Sequence, residues 1–212
     1  MIFCACDEVL VTSREAQNIL AKKTAILIGP GAGASQDLEK FLKFILSEKF
    51  SQAVIDADAL TILAGSLREV SLPPQWILTP HTGELSKLLN VSADEIEKDR
   101  IYHVSLAAKK FGCHVVLKGF RTLIATPHAE KVMIIPSGNQ ALAKAGSGDV
   151  LSGMISGFLA QKIKSFDAAC LGAFLHGKLA DDWLRKGNDV VSLMPRDLLQ
   201  NLSHLLAEVR TT

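Results

Sequence analysis

A glycine-rich loop with one acidic residue carries the strongest chemical signal in this sequence. Residues 146–149 read Gly-Ser-Gly-Asp, and apolar residues follow at helical spacing between positions 150 and 159. The loop therefore leads into a helix, whose first N–H groups lack partners within the helix and whose dipole makes that end positive. Glycine leaves these N–H groups open to a ligand, and such an end typically binds phosphate. Asp149 would then stand at the mouth of an anion site, unless it only caps the helix.

Four more polar or glycine-rich clusters follow segments that we predict to be strands. In an open α/β sheet, ligands bind beyond the carboxyl ends of the strands. We therefore expect the clusters to meet at one shared site. They occupy residues 29–33 (GPGAG), 56–60 (DADAL), 79–84 (TPHTGE) and 118–122 (KGFRT).

The first two clusters each leave two interpretations open. Residues 29–33 lack the glycine spacing of the dinucleotide fingerprint, and no Gly-Lys-Ser/Thr follows as in a P-loop. They form either a tight turn or a ligand loop. Asp56 and Asp58 could hold Mg²⁺ through water or cap a following helix. Because a helix is predicted to begin near Ala59, we expect Asp58 to be the cap and Asp56 to face the ligand.

The other two clusters place a histidine, a glutamate and a lysine at strand ends. His81 lies in a Pro-containing turn, where it serves either the turn or a ligand, and Glu84 suits the first turn of a helix. Lys118 either reaches a nucleotide phosphate or is a solvated strand end. The remaining histidines share no spacing and are interpreted as surface or packing residues, with His176 as a core or interface histidine on an apolar helix.

Apolar patterns predict strands that alternate with helices. The strands are continuous apolar runs, which is typical of a parallel sheet covered on both faces. Glycines at positions 153 and 157 indicate that the helix after Asp149 packs closely against other backbone. A capping box at residues 92–95 opens one predicted helix, and Gly112 stops it. The strands are expected at 24–28, 53–55, 76–78 and 114–117, with a hairpin of 123–125 and 131–135 and a strand fragment within 1–11; helices are expected at 37–50, 84–89, 92–111, 166–184 and 195–209.

Composition narrows the class of protein. The chain has 212 residues, a net charge of +1 and 48% hydrophobic residues, which suits one large domain and gives no basic surface for nucleic acid. No apolar run reaches the length of a membrane span, and the N-terminus does not read as a signal peptide. The four cysteines lack paired metal spacing. We expect a cytoplasmic protein that binds neither membranes nor nucleic acid.

Taken together, the motifs resemble the ribokinase-like superfamily and, more closely, the ADP/ATP-dependent NAD(P)H-hydrate dehydratase family. The matching pieces are IGPGAG, VIDADAL, LTPHTGELSKLL, VVLKGFRTLIAT and GNQALAKAGSGDVLSGMISGFLAQ, in the family's order. They cover nearly all of residues 25–161, and DAACLGAFLHGKLAD fits the next segment. The resemblance implies one α/β domain over residues 1–212, a ribokinase-like three-layer αβα sandwich with a mostly parallel central sheet.

The resemblance also implies a reaction. A lyase of this family returns the S form of hydrated NADH or NADPH, which carries a 6-hydroxyl group, to the working cofactor. Bacterial-type members consume ADP and release AMP and phosphate, although the sequence leaves ADP and ATP open. Mg²⁺ is expected as the nucleotide's counter-ion. Hydroxide is a poor leaving group, whereas phosphate departs readily when the ring nitrogen supplies electrons.

Single residues acquire expected roles by their match to the family's motifs. Asp149 matches the acid at the substrate hydroxyl, a general base for attack on the terminal phosphate. Gly33 and His81 match positions that contact the hydrated dinucleotide, as Asp149 does. No metal ligand is assigned. The expected nucleotide-binding residues are Lys118, Gly119, Phe120, Arg121, Thr122, Gly146, Ser147 and Gly148, the last three as an anion hole.

The chain departs from the family's pattern in two places. The loop that usually reads GNPGM reads GNQAL at residues 138–142, and Lys144 adds a charge beside the phosphate site. Family domains also carry several tens of residues ahead of this sequence, including a strand and an Ala-rich helix that line the pocket. We therefore expect that this chain is an N-terminally incomplete domain. In some bacteria the family's domain follows an epimerase domain in one chain. A homo-oligomer is expected, with the helix at 166–184 as an interface.

Two other functions fit the same motifs. A ribokinase-like kinase of a thiazole or pyrimidine precursor would use the same acid for phosphoryl transfer and release a phosphorylated product. A non-catalytic nucleotide-binding fragment would bind nucleotide without turnover.

Overall fold

The computed structural model describes residues 20–21, 23–128 and 132–211. The predicted strand within residues 1–11, and with it Cys4 and Cys6, lies outside the described residues. Cys113 and Cys170 are free thiols. No helix in the described ranges is long and apolar enough to cross a membrane.

A mixed sheet forms the centre of the described chain, with its strands side by side in sequence order. The first four pair in parallel, and the last two form an antiparallel hairpin at one edge. This agrees with the predicted mostly parallel sheet and with the hairpin. The strands are β1 (Ile26–Ile28), β2 (Ala53–Ile55), β3 (Ile77–Leu78), β4 (His114–Leu117), β5 (Leu123–Ala125) and β6 (Met133–Ile134).

Five helices of the described chain cover one face of this sheet. Strands that follow one another in order through right-handed crossovers place their connecting helices on the same side. The core on this side includes Leu42, Trp76 and Phe111, all almost completely buried, and the Trp76 indole N–H donates to the Phe50 carbonyl at 2.8 Å. The helices are α1 (Gln36–Ser47), α2 (Asp58–Ala64), α3 (Thr82–Leu89), α4 (Ala93–Lys98) and α5 (Arg100–Phe111).

Three helices cover the other face, which completes the three-layer αβα sandwich that the sequence predicts. They are α6 (Ser147–Ala160), α7 (Ser165–Arg185) and α8 (Pro195–Thr211). The N-terminus of α6 faces the same edge as the carboxyl ends of the parallel strands, because the glycine loop that opens it lies beside Lys118 at the end of β4. A second core joins these helices to the sheet and includes Leu27, Val54 and Ile155.

The prediction of one continuous helix over residues 92–111 is wrong. Residues 92–111 form two helices, α4 and α5, because Asp99 adopts a non-helical conformation with φ −146° and ψ 75°. The Asp99 carboxylate accepts a hydrogen bond from the Tyr102 N–H at 2.9 Å and thereby caps α5. The predicted ends are confirmed: Ser92 and Glu95 form the capping box, and Gly112 ends α5 with φ +70°.

Glycines at two positions of the α6–α7 region make a matched pair for a stability test. A Cβ at Gly172 would lie 2.5 Å from Ile155 Cγ1, whereas a Cβ at Gly157 meets nothing within 4 Å. The prediction that Gly157 packs closely against other backbone is therefore wrong. Gly172→Ala should destabilise the protein by about 1–3 kcal/mol through overpacking. Gly157→Ala should stabilise it by up to about 1 kcal/mol, since alanine is the better helix former. Urea unfolding measures both changes, and an equal effect of the two substitutions would contradict the packing described.

Candidate active site

The N-terminus of α6 is built as an anion site. Gly146 is its N-cap in the left-handed region, φ +83°, and supplies no side chain to the first turn. Asp149 lies inside that turn with an exposed side chain, so the interpretation of Asp149 as the cap is wrong. The Ser147 N–H donates to the Lys144 carbonyl at 3.2 Å. In the described part of the chain the N–H groups of Gly148 and Asp149 have no acceptor, so these two are open to a ligand.

Lys118 stands directly beside this helix end. Its Nζ lies 2.8 Å from Asp56 Oδ1 and 3.5 Å from Glu84 Oε2. A Cβ at Gly148 would lie 3.4 Å from Lys118 Nζ, an ordinary van der Waals distance, so the ammonium lies against the first turn of α6. Lys118 follows β4, Asp56 follows β2, and Glu84 belongs to α3. The clusters after three strands therefore meet at one point, as the sequence predicts, and Lys118 is not a solvated strand end.

The glycine-rich loop at residues 29–33 is held against the second cluster. Gly29 has φ +122°, and a Cβ there would lie 1.7 Å from the Asp56 carbonyl oxygen. The Gly33 N–H donates to Asp58 Oδ2 at 2.9 Å. The predicted cap at Asp58 is wrong: α2 begins at Asp58, and its N-cap, Ala57, makes no side-chain bond. The Asp58 carboxylate instead fastens the glycine-rich loop, which the sequence could not show because the two residues are far apart along the chain.

His81 caps α3 with its imidazole. Nδ1 accepts hydrogen bonds from the N–H groups of Gly83 at 2.9 Å and Glu84 at 3.3 Å. The Glu84 carboxylate in turn accepts from the His81 N–H at 2.8 Å, which completes a capping box. Because Nδ1 is an acceptor, the proton of the neutral ring lies on Nε2. The side chain is 60% exposed, so Nε2–H can still donate to a ligand.

Residues 118–122 form a loop with two unusual backbone conformations. Gly119 has φ +146°, and Arg121 has φ +54°. The Phe120 ring is 75% exposed, and the Arg121 guanidinium carbon lies 5.4 Å from its centroid. Arg100, on α5, donates from Nη1 to the Phe120 carbonyl at 2.6 Å. Sequence reasoning missed Arg100, since it falls inside a helix that was predicted to be continuous.

Side chains of α7 contact the first turn of α6 and the loop at residues 138–142. His176 is buried, and its Nε2 lies 3.1 Å from Ser147 Oγ in the first turn of α6, which confirms it as a core histidine. Burial lowers the pKa of His176 to about 4, against an opposing effect of its hydrogen bond with Ser147.

The Asp181 carboxylate accepts from the Gly138 N–H at 3.0 Å and from Asn139 Nδ2 at 2.9 Å. Asp181 holds the GNQAL loop; it is the last residue of the matched segment DAACLGAFLHGKLAD, for which no role was predicted.

Mg²⁺ fits the carboxylates at Lys118, although no group of three His, Cys, Asp or Glu residues converges in the described ranges. Asp56 is 1% exposed, and its Oδ2 has no hydrogen-bond partner among the described residues. Mg²⁺ is commonly held by one or two carboxylates together with phosphate oxygens. Asp56 and Glu84, which both lie within 3.5 Å of Lys118 Nζ, are the carboxylates that would hold it. The sequence predicts the Lys144 charge beside the phosphate site. In the structure, Lys144 Nζ donates a hydrogen bond to the Val191 carbonyl.

Comparison with known proteins identifies the family. The family model for NAD(P)H-hydrate dehydratase matches residues 2–204. The chain belongs to this family. Its curated relatives include the ADP-dependent (S)-NAD(P)H-hydrate dehydratase of Neisseria meningitidis, 42% identical over 169 residues, which are 76% of this chain and 57% of that protein.

Another relative is the bifunctional NAD(P)H-hydrate repair enzyme Nnr of Coxiella burnetii, 37% identical over 188 residues, or 89% of this chain and 37% of that protein. Among solved structures, the ADP/ATP-dependent NAD(P)H-hydrate dehydratase of Bacillus subtilis, co-crystallised with ATP and Mg²⁺, superimposes with a TM-score of 0.79 at 28% identity. The match covers 92% of this chain and 70% of the other. The ribokinase-like fold and the family resemblance are thereby confirmed. The chain spans between about a third and three fifths of the length of these curated relatives.

Stability should fall in acid through His176. The folded pKa of about 4 lies below the usual value of 6.5, so the unfolded chain binds more protons between these values. The contribution of this residue is therefore complete above pH 6.5 and lost as the pH falls toward 4, by up to about 1.4 kcal/mol per pH unit. Urea unfolding from pH 4.5 to 8 measures this slope. His176→Gln should flatten it, and an unchanged slope in that variant would refute the assignment.

Proposed function

We propose that this chain catalyses the nucleotide-dependent dehydration of S-NAD(P)H hydrate to NAD(P)H, with ADP converted to AMP and phosphate. One observation carries the proposal. The open N–H groups of Gly148 and Asp149, the Lys118 ammonium and the exposed Asp149 carboxylate lie together at the first turn of α6. This arrangement offers two donors and a cation to a phosphoryl group, and a base beside them. The names of the relatives agree with this chemistry.

We propose the following reaction for these groups. The Asp149 carboxylate removes the proton of the 6-hydroxyl group while that oxygen attacks the terminal phosphorus of ADP. The bond from this phosphorus to the bridging oxygen breaks, and AMP leaves. The N–H groups of Gly148 and Asp149, with Lys118, stabilise the charge on the transferring group. The ring nitrogen then supplies its electron pair, the C6–O bond breaks and phosphate leaves. Loss of a proton from C5 restores the dihydropyridine.

Other residues of the site bind the two substrates. We propose that Gly33 and His81 contact the hydrated dinucleotide, His81 through Nε2–H. Loop 118–122 is proposed to bind the nucleotide, with the exposed Phe120 ring as an apolar surface. Gly146 and Ser147 are assigned to the same nucleotide site. Asp56 and Glu84 would hold Mg²⁺, which supplies charge neutralisation to the phosphates when bound.

The setting of the enzyme is also a proposal. The relatives include proteins named bifunctional repair enzymes, which supports an epimerase domain as the partner in a longer chain. Helix α7 packs mainly inside this chain, although Phe174 remains 39% exposed, so a homo-oligomer through this helix is proposed with that residue at its centre. We propose that the activity is cytoplasmic, because its substrates would be nicotinamide cofactors and ADP.

The proposal predicts a rise in absorbance at the reduced-nicotinamide band when the protein, hydrated NADH, Mg²⁺ and ADP or ATP are mixed. Asp149→Asn should lower this rate by about 10²–10⁴-fold, since it removes the general base without removing the N–H donors. Nucleotide binding by the variant, measured by calorimetry, is the control. Binding without turnover in the unsubstituted chain would overturn the proposal in favour of a binding fragment. Phosphate transfer to a thiazole or pyrimidine alcohol, with no rise in absorbance, would replace it with a kinase.

A further inference from the structure

We propose that Arg100 is a positioning residue that holds loop 118–122 in the conformation that binds nucleotide. The inference rests on the proposed nucleotide-binding role of that loop. Arg100 is the first residue of α5 and lies outside the motifs that define the site. Its effect on the reaction would pass entirely through the loop.

The loop and the guanidinium are fitted to each other. Arg100 Nη1 donates to the Phe120 carbonyl at 2.6 Å. A Cβ at Gly119 would lie 2.7 Å from Arg100 Nη2, so a side chain at this position would displace the end of the guanidinium. Gly119 also has φ +146°, a conformation that residues with a Cβ rarely adopt. The backbone conformation therefore favours glycine at this position, and the guanidinium of Arg100 lies against it.

The Arg100 guanidinium is largely buried although it makes only one hydrogen bond to the described residues. Its side chain is 18% exposed, and Nε and Nη2 have no hydrogen-bond partner in the described part of the chain. Desolvation of a guanidinium is unfavourable unless the surrounding groups compensate for it. Here the compensation is the strong bond to the Phe120 carbonyl and the nearby carboxylate of Glu97, whose Oε2 is 3.8 Å from Nε. A residue placed this way is part of the loop's support and not a solvated surface arginine.

Glu97 extends the support to the other half of the site. Its Oε1 accepts a hydrogen bond from the Thr82 hydroxyl, in the first turn of α3 and next to His81. The loop is tied to the same region a second time, because the Lys118 N–H donates to the Pro80 carbonyl at 2.8 Å. Loop 118–122 is thus fixed at Lys118 by the backbone and at Phe120 by Arg100. Both ties lead to the segment that carries His81.

A loop that is already held in one conformation loses less conformational entropy when a nucleotide binds to it. Arg121, with φ +54°, is in a conformation that is unfavourable for a residue with a Cβ, so an unsupported loop would populate other conformations. A ligand that selects the minor competent population binds more weakly in proportion to that population. Loss of Arg100 should therefore weaken nucleotide binding and leave the chemistry of the bound complex largely unchanged.

Calorimetry of ADP and AMP binding to Arg100→Ala tests this inference. We expect the Kd of both nucleotides to rise about tenfold, the size typical of ordering a few residues on binding. In turnover, the KM for ADP should rise by a similar factor while kcat stays within about twofold. Arg100→Lys, which keeps the charge but loses the fork geometry, should restore part of the affinity. Arg68→Ala is the matched control, since Arg68 also donates to a backbone carbonyl, that of Ala64, at the other end of α2.

A double-mutant cycle with Gly119→Ala separates positioning from general damage. Gly119→Ala alone should weaken ADP binding, because the new methyl group displaces the guanidinium. In the Arg100→Ala background the same substitution should cost less, since the displaced group is absent and the backbone strain is common to both backgrounds. Independent, multiplicative effects would contradict the proposed contact.

The outcomes distinguish this inference from the proposed function. If the unsubstituted chain binds neither ADP nor AMP, the proposed function fails, and the positioning role fails with it. If it binds ADP but Arg100→Ala and Arg100→Lys bind equally well and remain folded by thermal unfolding, the proposed function stands and the role of Arg100 is wrong. A fall in kcat without a change in KM would also overturn it.

Discussion

A carboxylate that is almost completely buried requires a cation within reach, and the site is organised around that requirement. Asp56 is 1% exposed at the end of β2, and the Lys118 ammonium at the end of β4 compensates its charge from 2.8 Å. The same ammonium lies 3.5 Å from Glu84 and beside Gly148. The ion pair thus fixes a positive group at the helix end where a phosphoryl group would arrive. Removal of Lys118 would leave the Asp56 carboxylate buried without its cation, whereas removal of Asp56 would leave Lys118 with Glu84.

Glycine residues make these close approaches possible. At Gly29 a Cβ would overlap the Asp56 carbonyl oxygen, and at Gly119 it would overlap the Arg100 guanidinium. In each case a side chain would occupy space that a neighbouring backbone or charged group already fills. The glycines of the motifs therefore serve contacts between segments far apart in the chain, and Gly146 with φ +83° additionally sets the direction in which α6 begins. These contacts between segments together form the phosphate site.

The sequence predicted those features that local pattern determines. The strands Ala53–Ile55 and His114–Leu117 were predicted at their observed bounds, because continuous apolar runs end sharply at polar residues. The meeting of the clusters at one edge followed from parallel strands alone. The break at Asp99 was missed, since helical periodicity continues through it while a carboxylate caps the second helix. The bond of Asp58 to Gly33 and the support from Arg100 and Asp181 depend on distances across the fold, which spacing along the chain does not contain.

The central claim is that loop 118–122 binds the nucleoside part and the N-terminus of α6 binds the terminal phosphate. Amide ¹H–¹⁵N chemical shifts, recorded with AMP and then with ADP and Mg²⁺, test it most directly. The account predicts that both nucleotides shift the amides of the 118–122 loop, and that only ADP strongly shifts those of Gly148 and Asp149. Equal shifts of these two amides with AMP and ADP, or shifts centred on residues 29–33 instead, would contradict it.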